Sequence, residues 1–233
     1  MSGTAPEMLI LCGPSCVGKD PLLAALRRVH PELPFAQPIV HASRRPRPGE
    51  RDGVDFWFRS ADAIRAYDPA CFFVYPLRDQ WRAIDWQDVD DKLAADGRLV
   101  VQLSPLVVAP FRAHLRLAAR RVTALLLQPL SVAEALAMAA HNGRSPEDVV
   151  GELMLAKQVQ RAHALGQALD PATLADLRTR AAATWAEMQP RPGFDHVLVN
   201  HDAEGSPHWA CTPPPGDAGA TVAALARLLA GDI

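Results

Sequence analysis

The apolar positions of this chain fall into two kinds of segment. Met8-Leu9-Ile10-Leu11-Cys12 is apolar at every position, the pattern of a strand covered on both faces, as in a parallel sheet. Residues 98–103, 122–127 and 196–199 read the same way. Other segments carry a helical period. Leu22, Leu23, Leu26 and Val29 share one face, and residues 86–95 form a second run that ends near Gly97. Ser131 followed by Glu134 is a capping-box pattern for a helix over 131–140. Ser145-Pro146-Glu147-Asp148 opens another helix, with a cap, a proline in the first turn and acids at the positive end of the dipole. Asp170-Pro171 begins a further one, and residues 218–229 close the chain. Strands alternating with helices predict an α/β fold of three layers around a largely parallel sheet.

The stretch 34–85 breaks this rhythm. It is rich in Pro, Arg and aromatics, with strand-like Phe56-Trp57-Phe58 and Phe72-Phe73-Val74-Tyr75. It reads as a small lobe inserted into a single domain whose core is 5–33 and 86–233. Residues 205–217 read as a Pro-rich loop, and no fixed-period repeat is present.

Composition narrows the function classes. The chain has 233 residues, 49% hydrophobic and 21% charged, as in an ordinary globular protein. Its net charge of −2 offers no basic surface for nucleic acid. No apolar run approaches the ~20 residues of a membrane span, and MSGTAPEM has neither the basic start nor the apolar stretch of a secretory signal. The cysteines Cys12, Cys16, Cys71 and Cys211 lack zinc-site or disulfide-scaffold spacing, so free thiols in a reducing cytoplasm are expected. His201, His208 and Cys211 share a stretch that fixes no ligand geometry, and Asp88, Asp90 and Asp91 read as a solvated helix face. Lysine is rare: Lys19, Lys92 and Lys157 stand against 21 arginines.

One of those lysines completes a motif. Gly13-Pro14-Ser15-Cys16-Val17-Gly18-Lys19 fits G-x-x-x-x-G-K, between the first strand and the first helix. At the frequencies of Gly and Lys in this chain, an accidental match is expected roughly 0.01 times. Glycines let backbone amides converge on a polyphosphate, the helix N-terminus adds partial positive charge, and the lysine reaches the outer phosphates. Asp20 stands where the motif wants Ser or Thr; a carboxylate is a hard oxygen donor that suits Mg²⁺. A second segment, His41-Ala42-Ser43-Arg44-Arg45-Pro46-Arg47-Pro48-Gly49-Glu50-Arg51-Asp52-Gly53-Val54-Asp55-Phe56-Trp57-Phe58, sets arginine forks on a Pro/Gly-stiffened loop, a good match to a phosphate.

Together these motifs resemble the guanylate kinase family. GPSCVGKD is similar to its phosphate loop, SRRPRPGERDGVDFWF to its GMP-binding segment, HNGRSPEDVV with the following helix to its lid, and FDHVLVNHD to its last strand. The resemblance implies an ATP-dependent phosphotransferase with Mg²⁺, a nucleotide site on residues 13–20, an acceptor lobe and a helical lid over about 131–160. It implies ATP contacts from Gly13, Pro14, Ser15, Cys16, Val17, Gly18, Lys19 and Asp20. It implies acceptor contacts from Ser43, Arg44, Arg47, Glu50, Phe56, Phe73 and Arg82, and a lid arginine at Arg144. Lys19, Arg44 and Arg144 would be the catalytic set.

Several positions depart from the family pattern. Phe56 replaces an acceptor-site tyrosine, Phe73 a glutamate that reads guanine, and Arg82-Ala83 a Tyr-Gly pair. Gln102 and Ser104 fall where the family has aspartates, and Glu152 where it has an arginine of the long lid helix. Residues 162–192 have no counterpart and read as a helical insertion. A related enzyme, ribose 1,5-bisphosphate phosphokinase, shares the GKD ending and a serine like Ser104. The expectation is phosphoryl transfer to a phosphorylated small molecule, GMP by the second motif. A pentose bisphosphate is the enzymatic alternative, with Arg78 and Arg82 free for a second phosphate. A catalytically silent binding module is the alternative from another class.

Overall fold

The computed structural model describes residues 5–47, 49–189 and 192–232. Chain order is β1 (Met8–Cys12), α1 (Lys19–Val29), β2 (His41–Ala42), β3 (Trp57–Phe58), α2 (Ala61–Arg65), β4 (Phe72–Leu77), β5 (Gln80–Asp85), α3 (Trp86–Asp96), β6 (Leu99–Leu103), α4 (Val108–Arg112), β7 (Val122–Gln128), α5 (Val132–Asn142), α6 (Pro146–Ala164), α7 (Pro171–Ala182), α8 (Thr184–Met188), β8 (His196–Val199) and α9 (Gly216–Ala230).

The central sheet is parallel, in the order β6-β1-β7-β8. Its central strand β1 is buried at all five positions. Alternate residues feed two cores. Leu9 and Leu11 of β1 join Leu125 and Leu127 of β7 in packing against α1 and α9. Met8, Ile10 and Cys12 join Ala124 and Leu126 in packing against Trp86, Val89 and Phe111 of α3 and α4. That alternation makes three layers from strands that show no polar face in sequence. Among the described residues, no helix is long and apolar enough to cross a membrane.

A second sheet, β3-β2-β5-β4, stands apart from the first; β2 and β3 run parallel, the other pairs antiparallel. It lies within residues 41–85. The β4–β5 hairpin turns at Arg78, which has φ 57, and β5 runs directly into the Asp85 cap of α3. Neither β2 nor β5 is expected from the sequence. β2 is a two-residue strand, and β5 buries consecutive Ala83 and Ile84 rather than alternate positions.

A third core joins Cys16 of the phosphate loop to Ala135 of α5, Val150 and Met154 of α6, Ala181 of α7 and Met188 of α8. The capping box at Ser131–Glu134 and the Ser145 cap form as expected. Helix α6 extends to Ala164, and α7 and α8 occupy most of residues 162–192, which the sequence reads as a helical insertion.

Candidate active site

The phosphate loop joins the buried end of β1 to α1. Gly13 and Gly18 have φ of 153 and 96, and Gly18 is the N-cap of α1. The amides of Ser15, Cys16, Val17 and Gly18 donate to no protein acceptor among the described residues. They are the open donors of a helix start, which an anion satisfies. Lys19 Nζ donates to the carbonyls of Gly13 at 2.8 Å and Pro14 at 2.9 Å. Burial lowers its pKa, and the nearby charges of Asp20 and Glu204 act against that. Asn200 pins the loop from the far side, its amide donating to the Val17 carbonyl at 2.8 Å. This donor set fits a nucleotide polyphosphate.

Asp20 is exposed and accepts from Gln102 Nε2 at 2.8 Å. The carboxylate missing from the end of β6 is thus matched by one across from it on α1. Among the described residues no group of three His, Cys, Asp or Glu converges on a cation position. Mg²⁺ here would be held by Asp20 and the phosphates rather than by a protein cage.

Among the described residues, three cavities adjoin the loop. The largest, about 510 Å³, is lined by Gly13, Ser15, Lys19 and Asp20 on one side and by Glu50, Phe56, Tyr75, Leu77, Arg78 and Arg82 of the lobe on the other. Gln102 and Ser104 close its base. A second, about 190 Å³, is lined by Lys19 together with Arg47, Arg78, Arg82, Arg161 and Arg180. A third, about 230 Å³, lies toward α6 and α7. Arg47 makes no ion pair among the described residues, and burial, with Arg180 and Arg44 nearby, brings its pKa down to about 10. Burial likewise lowers Arg82.

The acceptor residues named from sequence have distinct placements. Arg44 is gripped by Glu50, with both Nη atoms donating at 2.6 Å, and Glu50 also accepts from the Arg47 amide at 2.8 Å. Phe56 lies between two guanidinium groups, with Arg44 Cζ 4.8 Å and Arg82 Cζ 4.9 Å from its ring centroid. The largest cavity therefore meets Arg82 and the Phe56 ring, and the second meets Arg47 and Arg82, while Arg44 is held by Glu50. Ser43 binds along β5: its amide donates to the Trp81 carbonyl, and its hydroxyl accepts from the Trp81 amide at 2.8 Å.

Two placements differ from the sequence expectation. Phe73 is half-buried and packs against Phe111, at 5.0 Å between centroids, and Trp86; Tyr75, two residues on and buried in that same cluster, lines the chamber wall. An aromatic ring at 73 has more to gain from that apolar cluster than from a polar chamber. Arg144 is exposed and paired with Glu152 at 2.6 Å, so the expected lid arginine is engaged on the outer surface. Arg161, on α6, and Arg180, on α7, line the cavity beside the loop. The helical spacing from Met154 and Gln158 is a signal for Arg161. No sequence signal marks Arg180. Glu204 pairs with Arg161 at 2.6 Å, and burial raises its pKa.

The Glu50 clamp is testable. Side-chain exposures of 9% for Arg44 and 17% for Glu50 make the pair costly to break, so Glu50→Ala is expected to destabilise the protein by about 3 kcal/mol in urea unfolding. Burial pushes the Glu50 pKa up, but the Arg44 hydrogen bonds and the Arg47 amide bring it below its ordinary 4.5. A depressed carboxylate contributes stability above its unfolded pKa and loses it as pH falls through the folded one. The difference between wild type and Glu50→Ala is therefore expected to shrink below pH 4.5.

This parallel sheet, glycine-rich loop and inserted lobe define a phosphate-loop α/β protein. A family model described as guanylate kinase matches residues 5–69. The guanylate kinase of Mycobacterium bovis is 30% identical over 201 residues, covering 86% of this chain and 82% of that protein. A local match to the guanylate kinase of a Synechococcus strain is 44% identical over 59 residues, 25% of this chain and 26% of that protein. The crystal structure of guanylate kinase from Anaplasma phagocytophilum superposes with a TM-score of 0.57 at 14% identity, covering 100% of this chain and 88% of that one. The chain belongs to the guanylate kinase family.

Proposed function

We propose that this protein transfers the γ-phosphoryl group of ATP to the phosphate of a small phosphorylated acceptor, GMP with ATP giving GDP and ADP. The observation that supports it best is the cavity lined both by Lys19 of the phosphate loop and by Arg47 and Arg82 of the lobe. Donor phosphates on residues 13–20 and an acceptor phosphate on Arg47 would meet there. Phosphoryl transfer is governed by positioning and charge rather than by covalent chemistry from the protein. Lys19 neutralises the outer phosphates, the loop amides orient them, and Arg47 and Arg82 hold the acceptor. Asp20 would carry Mg²⁺, which supplies further charge neutralisation when bound.

A pentose bisphosphate is the second reading of the acceptor. It is favoured by Arg82 on the chamber wall, beside an Arg78 that is paired with Glu187 at 2.9 Å, and by Phe73, which packs against Phe111 and Trp86. With a ring at 73, no carboxylate from that position meets a guanine edge, and unpaired donors on a buried base are costly. A coupled assay of ADP release with Mg·ATP, run over GMP, dGMP and ribose 1,5-bisphosphate, separates the readings. GMP-dependent release is the expected result. Release with the bisphosphate alone selects the second reading. Mg·ATP binding with no release from any acceptor makes the protein a binding module.

A further inference from the structure

Arg180 belongs to no motif in the sequence. Its helix, α7, lies in the segment that the sequence reads as a helical insertion. Ala181, the next residue, is buried against Val150 and Met154 of α6, which fixes the rotation of α7. Arg180 then lines both smaller cavities, together with Arg47, Arg161 and the loop residues Ser15 and Cys16. Three guanidinium groups thus reach one place from a loop, from α6 and from α7.

Their charges are incompletely balanced. Glu204 pairs with Arg161 at 2.6 Å, and Asp176, one turn back on α7, accepts from Arg180 Nε at 3.0 Å. Arg47 has no such partner among the described residues, and it experiences Arg180 as a like charge. Like charges in a half-buried cavity repel, and an anion between them reverses the sign of the interaction. The wall of the outer cavity adds a second sign of a missing polar occupant. Gln158, 4% exposed, lines it, and neither its amide nitrogen nor its oxygen is hydrogen-bonded among the described residues. Buried amides are rarely left so.

We propose that Arg180, with Arg47 and Arg161, forms a phosphoryl-binding site beside the phosphate loop, so that α7 supplies the guanidinium that α6 lacks at Glu152. The inference rests on the phosphoryl-transfer reading above. Its ligand class is a polyphosphate chain that runs along the loop amides and extends past Ser15 and Cys16. Arg180 binds and orients; no bond is made to it.

Calorimetric titration of inorganic tripolyphosphate into the full chain tests this. Arg180→Ala is expected to weaken binding about tenfold, the effect of losing one charge-assisted contact to an anion. Arg180→Lys is expected to lose less, about threefold, since it keeps the charge but not the planar fork. Asp176→Asn is expected to bind at least as tightly as wild type, because it frees Arg180. Lys19→Ala is expected to bind undetectably. Wild-type affinity in Arg180→Ala and Arg180→Lys, with binding lost in Lys19→Ala, would overturn the role of Arg180 and leave the phosphate-loop reading standing. Undiminished binding in Lys19→Ala would overturn that reading itself. Weakening in Asp176→Asn equal to that in Arg180→Ala would make Arg180 a brace for α7 and overturn the proposal. Thermal melts of all variants separate lost binding from lost fold, and Arg180→Lys carries the test if Arg180→Ala does not fold.

Discussion

Lys19→Ala is expected to abolish measurable ATP binding and to lower turnover at least about 100-fold, the scale of removing one preorganised donor from a phosphoryl or oxyanion site. The ammonium is buried in the loop, donating to the Gly13 and Pro14 carbonyls at 2.8 and 2.9 Å. It is therefore already aimed, with little side-chain entropy left to lose when phosphate arrives. The other cations at the cavity come from the lobe and from α6 and α7, and none is on the loop. Titration of Mg·ATP, with circular dichroism to confirm an unchanged fold, checks the expectation; retained affinity would sink the nucleotide assignment. A pH effect accompanies it. Burial brings the Lys19 pKa below its ordinary 10.5, and bound phosphate would raise it again. ATP affinity is thus expected to fall as pH rises through that lowered pKa, earlier than for a solvated lysine.

Gly13→Ala is expected to cost about 3 kcal/mol in urea unfolding, from backbone strain and overpacking together. Gly13 has φ 153, and a Cβ there would lie 2.5 Å from the Leu127 carbonyl oxygen and 2.9 Å from Val17 Cγ1. The carbonyl belongs to β7, whose register against β1 pairs Cys12 with Leu126. It has no room to retreat without loosening the central sheet. Gly97→Ala is the control. It too has a positive φ, 68, but open space surrounds its Cβ position, so only the conformational term applies, about 1 kcal/mol. Equal losses in the two variants would show that the contact with Leu127 is not the cause.

The legible parts of the fold are those whose physics is local. β1, β6 and β7 announce themselves because strands buried on both faces are apolar almost throughout; β8 has the same apolar look, but it is an edge strand and leaves Val197 exposed. α5 and α6 announce themselves through Ser131, Glu134 and Ser145, whose side chains cap the helices as their spacing implies. β2 and β5 stay hidden, because a two-residue strand has no period and β5 buries neighbours rather than alternates. At the site, the phosphate loop is legible because anion binding needs glycines and a lysine at one short spacing. The acceptor side is less so. Phe73 and Tyr75 lie on the same face of β4 and join one apolar cluster, and only packing decides that Tyr75 also reaches the chamber while Phe73 stays against Phe111 and Trp86. Arg44 and Arg47 look alike in sequence, yet Glu50 holds the first and leaves the second open to the cavity.

By itself, the sequence determined the parallel α/β core, the position of the phosphate loop and the membership of this chain in the guanylate kinase family. Each depends on residues close together in the chain. The tertiary structure alone decided which arginines meet the loop. Arg144 sits nearest to the family's lid pattern, but Glu152 holds it on the surface. Arg161 and Arg180 reach the cavity because α6 and α7 pack together over Cys16. A charge acts through distance in space, and distance between remote segments is set by packing, which no local pattern records.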